Sequence, residues 1–256
     1  MDQAATGRSI LGGQGTRQLP ASYIQRSELP LASLVFLLPL IVSYEVGTRY
    51  FATDPAAHTE LRIVAFKLMQ DFFWLFGASG KYLPAMAIAG ILLAWHIARN
   101  DPWKVKPGTL IGMAIEGTAW SLPLLIFGAA ALRYLAGASM HGDWRPLIVL
   151  SIGAGLYEEL VFRLIAFTVL SLIFVDVLKI HKFWSCLGMV AITSLSFSLY
   201  HYLGNESFQW QSFVFRTGAG IYFGALFLAR GFGITAFAHA AYDVIVVTGK
   251  ASMAAQ

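Results

Sequence analysis

The stretch PLIVLSIGAGLYEELVFRLIAFTVLSLIFVDVL, residues 146–178, is apolar except for Glu158, Glu159, Arg163 and Asp176. As a helix it would run about 49 Å at 1.5 Å per residue, well beyond a hydrocarbon core of about 30 Å. It reads either as one long, tilted, partly interfacial helix or as a span followed by a shallower segment. Both readings place it in a bilayer.

Further apolar segments of spanning length lie on either side. Before it come residues 31–51, broken by Pro39, then 82–98, then 110–135 with Glu116 and Pro123 inside. After it come 183–203, 210–229 and 232–248. Residues 61–78 carry Arg62, Lys67 and Asp71 among aromatics, which suits a helix lying in the membrane interface. The fold class is therefore all-α: a polytopic transmembrane bundle of seven or eight membrane helices with an interfacial amphipathic helix. If 146–178 crosses once, the arginines of the N-terminal tail, the 99–106 loop, the 179–182 loop and Arg230 share one side. That favours seven passes with the N-terminus inside.

Composition agrees. The 256 residues are 57% hydrophobic and only 12% charged, against about 25% charged in soluble domains. Mean hydropathy is +0.64. The net charge of +4 resides in loops and at segment ends, so the expected partners are membrane lipids and not nucleic acid. Cys186 stands alone and forms no internal disulfide. Residues 1–28 are polar, lack the apolar core of a signal peptide, and read as a disordered tail. Residues 29–145 form the N-terminal membrane helices and 146–250 the part that carries the chemistry. Glu45 and Arg49 stand four apart, which suits a local ion pair. Gly220 and Gly224 suit close helix packing.

A charge at the bilayer centre costs about 2.5–3.5 kcal/mol on insertion scales. The chain nonetheless keeps Glu158, Glu159, Arg163, His201, His239 and Asp243 within its last hundred or so residues. Glu159 and Arg163 are four apart with the acid first, the better order for an ion pair. Glu158 faces Phe162 instead and has no local partner, so it is free for proton transfer. His239 and Asp243 are also four apart and share a helix face, able to address a water or a metal. His201 ends its span one turn after Phe197. These faces, converging, would form a polar site for hydrolysis or transport. Glu45 and Glu116 belong to no motif and read as structural or as channel lining.

EELVFR, FSLYH and HAAYD, at 158–163, 197–201 and 239–243, resemble in order the EExxxR, FxxxH and His-x-x-x-Asn/Asp motifs of the CAAX-protease and bacteriocin-processing family of intramembrane proteases, which includes the prenyl-protein endopeptidase. The resemblance covers about residues 146–248. It implies peptide-bond hydrolysis in a polar cavity within the bilayer, with a peptide or protein substrate presented at the membrane. Carried over, Glu158 activates the attacking water with His201 assisting, His239 and residue 243 stabilise the oxyanion, and Glu159 and Arg163 support the first helix. The prenyl-protease branch has Asn where this chain has Asp243. An ionised Asp donates no hydrogen bond, so Asp243 must be protonated, orient His239 or bind a metal. The resemblance admits a glutamate-dependent or a metal-dependent enzyme, with zinc or with no cofactor. His201, His239, Glu158 and Asp243 would be the metal ligands. The competing reading is a non-catalytic membrane protein of the same fold, binding, immunity-type or transporter-like. Intact motifs and the lack of repeated halves weigh against it. Short loops and the lack of a compartment signal fit a plasma membrane, in particular a bacterial inner membrane.

Overall fold

The computed structural model describes residues 18–54, 59–132, 143–203 and 206–254. Its helices are α1 (Tyr23–Ser27), α2 (Pro30–Phe51), α3 (Val64–Leu75), α4 (Leu83–Arg99), α5 (Pro107–Leu132), α6 (Arg145–Val177), α7 (Lys182–Tyr200) and α8 (Trp210–Ala254). A two-residue pairing of Thr53–Asp54 with Thr59–Glu60 joins α2 to α3. Among the described residues, five helices are long and apolar enough to cross a membrane, and α4 is a shorter apolar helix. Their outer faces show the reason: Val35, Leu38, Val42, Ile111, Ile115, Leu195 and Ile221 are all exposed. A water-soluble monomer rarely leaves so much apolar surface uncovered, whereas a bilayer solvates it.

Residues 145–177 form one helix of 33 residues, so the two-segment alternative is not realised. Three stretches of it are wound as wider π-type turns, Ala154–Glu158, Leu160–Ile165 and Leu172–Val177. Such turns expose backbone and re-aim side chains, and they concentrate at functional sites. Here two of them flank Glu159.

α8 has 45 residues but is not straight. Gly231 sits at φ 74° and ψ −176°, a conformation essentially reserved for glycine. On a straight helix Phe223 and His239 would be about 24 Å apart. Their rings stack at 4.5 Å. The helix therefore turns back at Gly231 into two antiparallel arms, residues 210–230 and 232–254, matching the two apolar segments read from the sequence. Arg230 fixes the corner. Its guanidinium donates to both carboxylate oxygens of Glu116 (2.5 and 2.9 Å), to Glu28 (3.0 Å) and to Ser27 (2.8 Å). Glu116 is thus structural, as one of its two sequence readings had it.

Two expectations are corrected. The polar tail reaches less far than residue 28: residues 1–17 lie outside the described residues, but 23–27 are helical. Tyr23 donates to Glu116 at 2.6 Å and Arg26 to Thr109 at 3.2 Å, contacts across a fold that no local pattern reveals. Glu45 pairs not with Arg49 but with Arg62 at 2.8 Å, and it accepts a bond from Tyr157 at 3.2 Å. Arg62 lies over the rings of Tyr44 and Phe66, where its charge gains π contacts that Arg49 on the outer helix face lacks. Glu60 takes Arg62 and Lys81 as well. Burial opposes ionisation of Glu60, yet the two cations hold its carboxyl below the usual range. The amphipathic helix expected over 61–78 is α3, which buries Ala65, Phe66 and Met69 and exposes Phe72, Trp74 and Leu75.

α6 runs through the middle of the bundle, packed against α2 on one side and α8 on the other. Gly153 and Gly155 permit this. A Cβ on Gly155 would sit 2.5 Å from the Ala236 carbonyl oxygen and 2.5 Å from the Ala240 amide nitrogen. Both are backbone atoms that have no rotamer to escape into. Gly155→Ala is therefore expected to push α6 off the second arm of α8 and carry Glu158 away from His239. The measurement is the Tm of the purified protein in detergent, and an unchanged Tm would show that this contact does not hold the two helices in register.

Candidate active site

Three helices deliver the polar residues to one place. α6 supplies Glu158, Glu159 and Arg163, the end of α7 supplies Phe197, Tyr200 and His201, and the second arm of α8 supplies His239 and Asp243. On ideal straight spans, Glu158, His201 and His239 would differ in depth by about 15–20 Å. In the structure that offset is absent: His201 Nε2 and His239 Nε2 lie 4.0 and 3.8 Å from the Glu158 carboxylate.

Arg163 and Glu159 form the ion pair that their spacing predicts, at 3.0 Å, with both side chains wholly buried. Arg163 also donates to the Gly220 carbonyl at 3.2 Å and lies over the Phe197 ring at 4.6 Å. A Cβ on Gly220 would stand 2.9 Å from Ser194 Cα, so the small residue that allows close packing also opens a carbonyl to the arginine. Glu159 does more than the spacing suggests. The same Oε1 accepts from His239 Nδ1 at 2.7 Å. A carboxylate only accepts, so Nδ1 carries the proton and Nε2 points onward. Phe223 stacks on the ring and holds its plane. A buried carboxylate fixing one ring nitrogen so that the other can act is a recurrent orienting device.

His239 Nε2 then lies 3.8 Å from Glu158 Oε2 and 3.5 Å from Asp243 Oδ2. His201 is oriented in the same manner: its Nδ1 lies 2.7 Å from the Phe197 carbonyl, leaving Nε2 at 4.0 Å from Glu158 Oε1. Gaps of this size from a carboxylate to two imidazoles match one bridging water at ordinary hydrogen-bond lengths. Glu158 has no partner on its own helix, as the sequence indicates, but it has one on α7: the Tyr200 hydroxyl donates to Oε1 at 2.6 Å. Sequence reading missed Tyr200. The available signal was a tyrosine beside His201 in an apolar helix, where a phenolic hydroxyl needs a partner.

These groups line a cavity of about 370 Å³ together with Ser212, Arg216, Phe223, Tyr242 and Lys250. Two larger grooves, one lined by Trp95, Leu164, Phe227 and Asp176 and the other by Phe72, Met86 and Val161, are mainly apolar and hold none of the residues gathered around Glu158. Among the described residues, no three His, Cys, Asp or Glu side chains are arranged to hold a metal ion. Nδ1 of each histidine is committed to an oxygen and Glu158 Oε1 to Tyr200, which leaves both Nε2 atoms and Glu158 Oε2 without such a bond. No step below passes through a metal.

Residues 140–245 match the family model of the type II CAAX prenyl endopeptidase Rce1-like proteins. No curated protein and no solved structure matches the chain.

Proposed function

We propose that this chain, a membrane protein carrying a CAAX-protease domain over residues 140–245, cleaves its substrate with a water activated by Glu158 and without a metal. The observation that carries the reading is the pair of gaps around Glu158, 4.0 Å to His201 Nε2 and 3.8 Å to His239 Nε2, in a cavity large enough for a peptide segment.

In this mechanism water sits between Glu158 and the unprotonated Nε2 of His201. Glu158 takes a proton as the water oxygen adds to the substrate carbonyl carbon. The carbonyl oxygen becomes an oxyanion facing His239 Nε2–H. That N–H is available because Glu159 and Asp243 face the two ring nitrogens and compensate a doubly protonated ring. Collapse of the adduct breaks the C–N bond, and Glu158 returns its proton to the departing amine. Asp243 serves as the orienter of His239 in this scheme, so Asp stands in for the Asn of the prenyl-protease branch without having to donate. The substrate is a membrane-presented protein or peptide of the CAAX type, and the membrane is read as a bacterial plasma membrane.

The test is cleavage of a prenylated CAAX peptide by the purified protein in lipid vesicles, before and after exhaustive chelation. Cleavage that survives chelation is the expected result. Loss on chelation, restored by zinc alone, would replace the metal-free scheme with a metal-dependent one. No cleavage of any membrane-presented peptide would favour a binding protein of the same fold.

A further inference from the structure

Where α6 meets α2, on the side away from α8, a second set of charges is buried. Arg62 donates three times, through Nη2 to Glu45 at 2.8 Å and to Glu60 at 2.7 Å, and through Nε to Glu60 at 3.1 Å. Its side chain is only 5% exposed. The other oxygen of Glu45 accepts from the Tyr157 hydroxyl at 3.2 Å. The Tyr157 ring is closed in by Phe66 at 5.0 Å and Tyr44 at 5.2 Å, the same two rings that carry the Arg62 guanidinium. Stability alone does not account for such a cluster, because a buried ion pair is often no more stabilising than apolar residues of similar size. What it does fix is one geometry.

That geometry ends one residue from Glu158. Tyr157 and Glu158 belong to the same wide turn, Ala154–Glu158. Turns of this kind are rare and persist where neighbouring contacts hold them. Successive residues on a helix point about 100° apart, so the turn cannot swing Tyr157 without swinging Glu158. A carboxylate about 6 Å from the helix axis moves about 1 Å for each 10° of such a swing. Its gaps of 4.0 and 3.8 Å to the two imidazoles match one bridging water and would be lost to that drift. A second route leads from the same segment. Ala65, in the first turn of α3 and three residues after Arg62, turns its backbone amide toward the Tyr200 hydroxyl, which donates to Glu158 at 2.6 Å. First-turn amides have no partner within their own helix, and α3 has no side-chain cap. By seating the start of α3, Arg62 therefore supports Glu158 both along α6 and from α7.

We propose that Arg62 is a positioning residue of the active site: through Glu45 it holds the Tyr157 hydroxyl, and through the first turn of α3 it backs Tyr200, so that Glu158 stays at water-bridging distance from His201 and His239. The inference rests on the peptidase reading above. Arg62 does not line the active-site cavity and acts only through the placement of the carboxylate.

The test uses the full-length protein in vesicles with a prenylated CAAX peptide and reads kcat, KM and Tm together. Tyr157→Phe keeps the ring between Phe66 and Tyr44 and removes only the bond to Glu45. It is expected to lower kcat about 3- to 10-fold, the scale of one hydrogen bond, with KM and Tm little changed. Arg62→Gln should lower kcat by about 10-fold or more, a part of the about 10²–10⁴-fold that a positioned general base contributes. Arg62→Lys restores the charge but not the fork and should fall between. The Glu158→Gln background, followed in single turnovers, separates positioning from a general weakening of the fold. There both Tyr157→Phe and Arg62→Gln should cost nothing further in rate, because no base is left to position. A further loss of the same size on that background overturns the proposal. So does full kcat in Tyr157→Phe, a result that decides the matter even where Arg62→Gln fails to accumulate. An unaltered enzyme that cleaves no membrane-presented peptide strikes the peptidase reading itself, whereas cleavage that is indifferent to Tyr157→Phe strikes the positioning alone.

Discussion

Glu158→Gln is expected to lower kcat by about 10³-fold while the protein keeps its fold and its affinity for substrate, the range assigned to a positioned general base being about 10²–10⁴. The substitution keeps shape and keeps one acceptor oxygen. Tyr200 donates to Glu158 Oε1 at 2.6 Å and would find the amide oxygen in the same place. What disappears, in the proposed mechanism, is the capacity to take a proton from the water and return it to the amine. Both neighbouring imidazoles remain oriented, since neither Nδ1 depends on Glu158: one rests on Glu159 and the other on the Phe197 carbonyl. The loss should therefore appear in kcat and not in KM, with an unfolding temperature in detergent close to that of the unaltered protein. Full activity in Glu158→Gln would remove the water-activating role and leave His201 or His239 as the base.

Which of the two glutamates pairs along its own helix was legible in the sequence from one local rule. Glu159 and Arg163 are a helical turn apart, and the turn holds in the structure even though the backbone there is wound more widely than an α-helix. Nothing within four residues serves Glu158, which leaves it for a longer-range partner. The partners themselves were not legible. Tyr200 is 42 residues from Glu158, and the contact of His239 with Glu159 spans 80. No periodicity connects residues on different helices, and the motif order only says that they belong together. Span boundaries were readable because hydrophobic length is a local property. The depth mismatch they implied was not resolvable, because relative depth is set by packing between helices, such as the close approach at Gly155, which no local pattern reports. Glu45 shows the same limit: its nearest cation in sequence, Arg49, lost to Arg62, which packs on two rings supplied by other parts of the fold.

Arg163→Met should have the largest effect on the fold. The side chain is wholly buried, pairs with Glu159, donates to the Gly220 carbonyl and lies over Phe197. Methionine fills much of the space but leaves the buried Glu159 carboxylate without its permanent cation, and breaking a buried pair in this way costs about 3–5 kcal/mol. A fall in Tm on the order of 10 °C follows for a chain of this size, with poor accumulation in the membrane. Glu159→Gln combined with Arg163→Met removes both charges, and such replacements are often neutral for stability. The double variant should therefore regain most of the lost Tm. It should not regain activity, because Glu159 also holds His239 Nδ1 at 2.7 Å, and a neutral amide neither fixes that tautomer nor balances a doubly protonated ring. Separate recovery of fold and function would establish that Glu159 has two duties, one to the helix and one to the imidazole. A double variant that recovers both would reduce Glu159 to a structural partner of Arg163 and remove it from the orientation of His239.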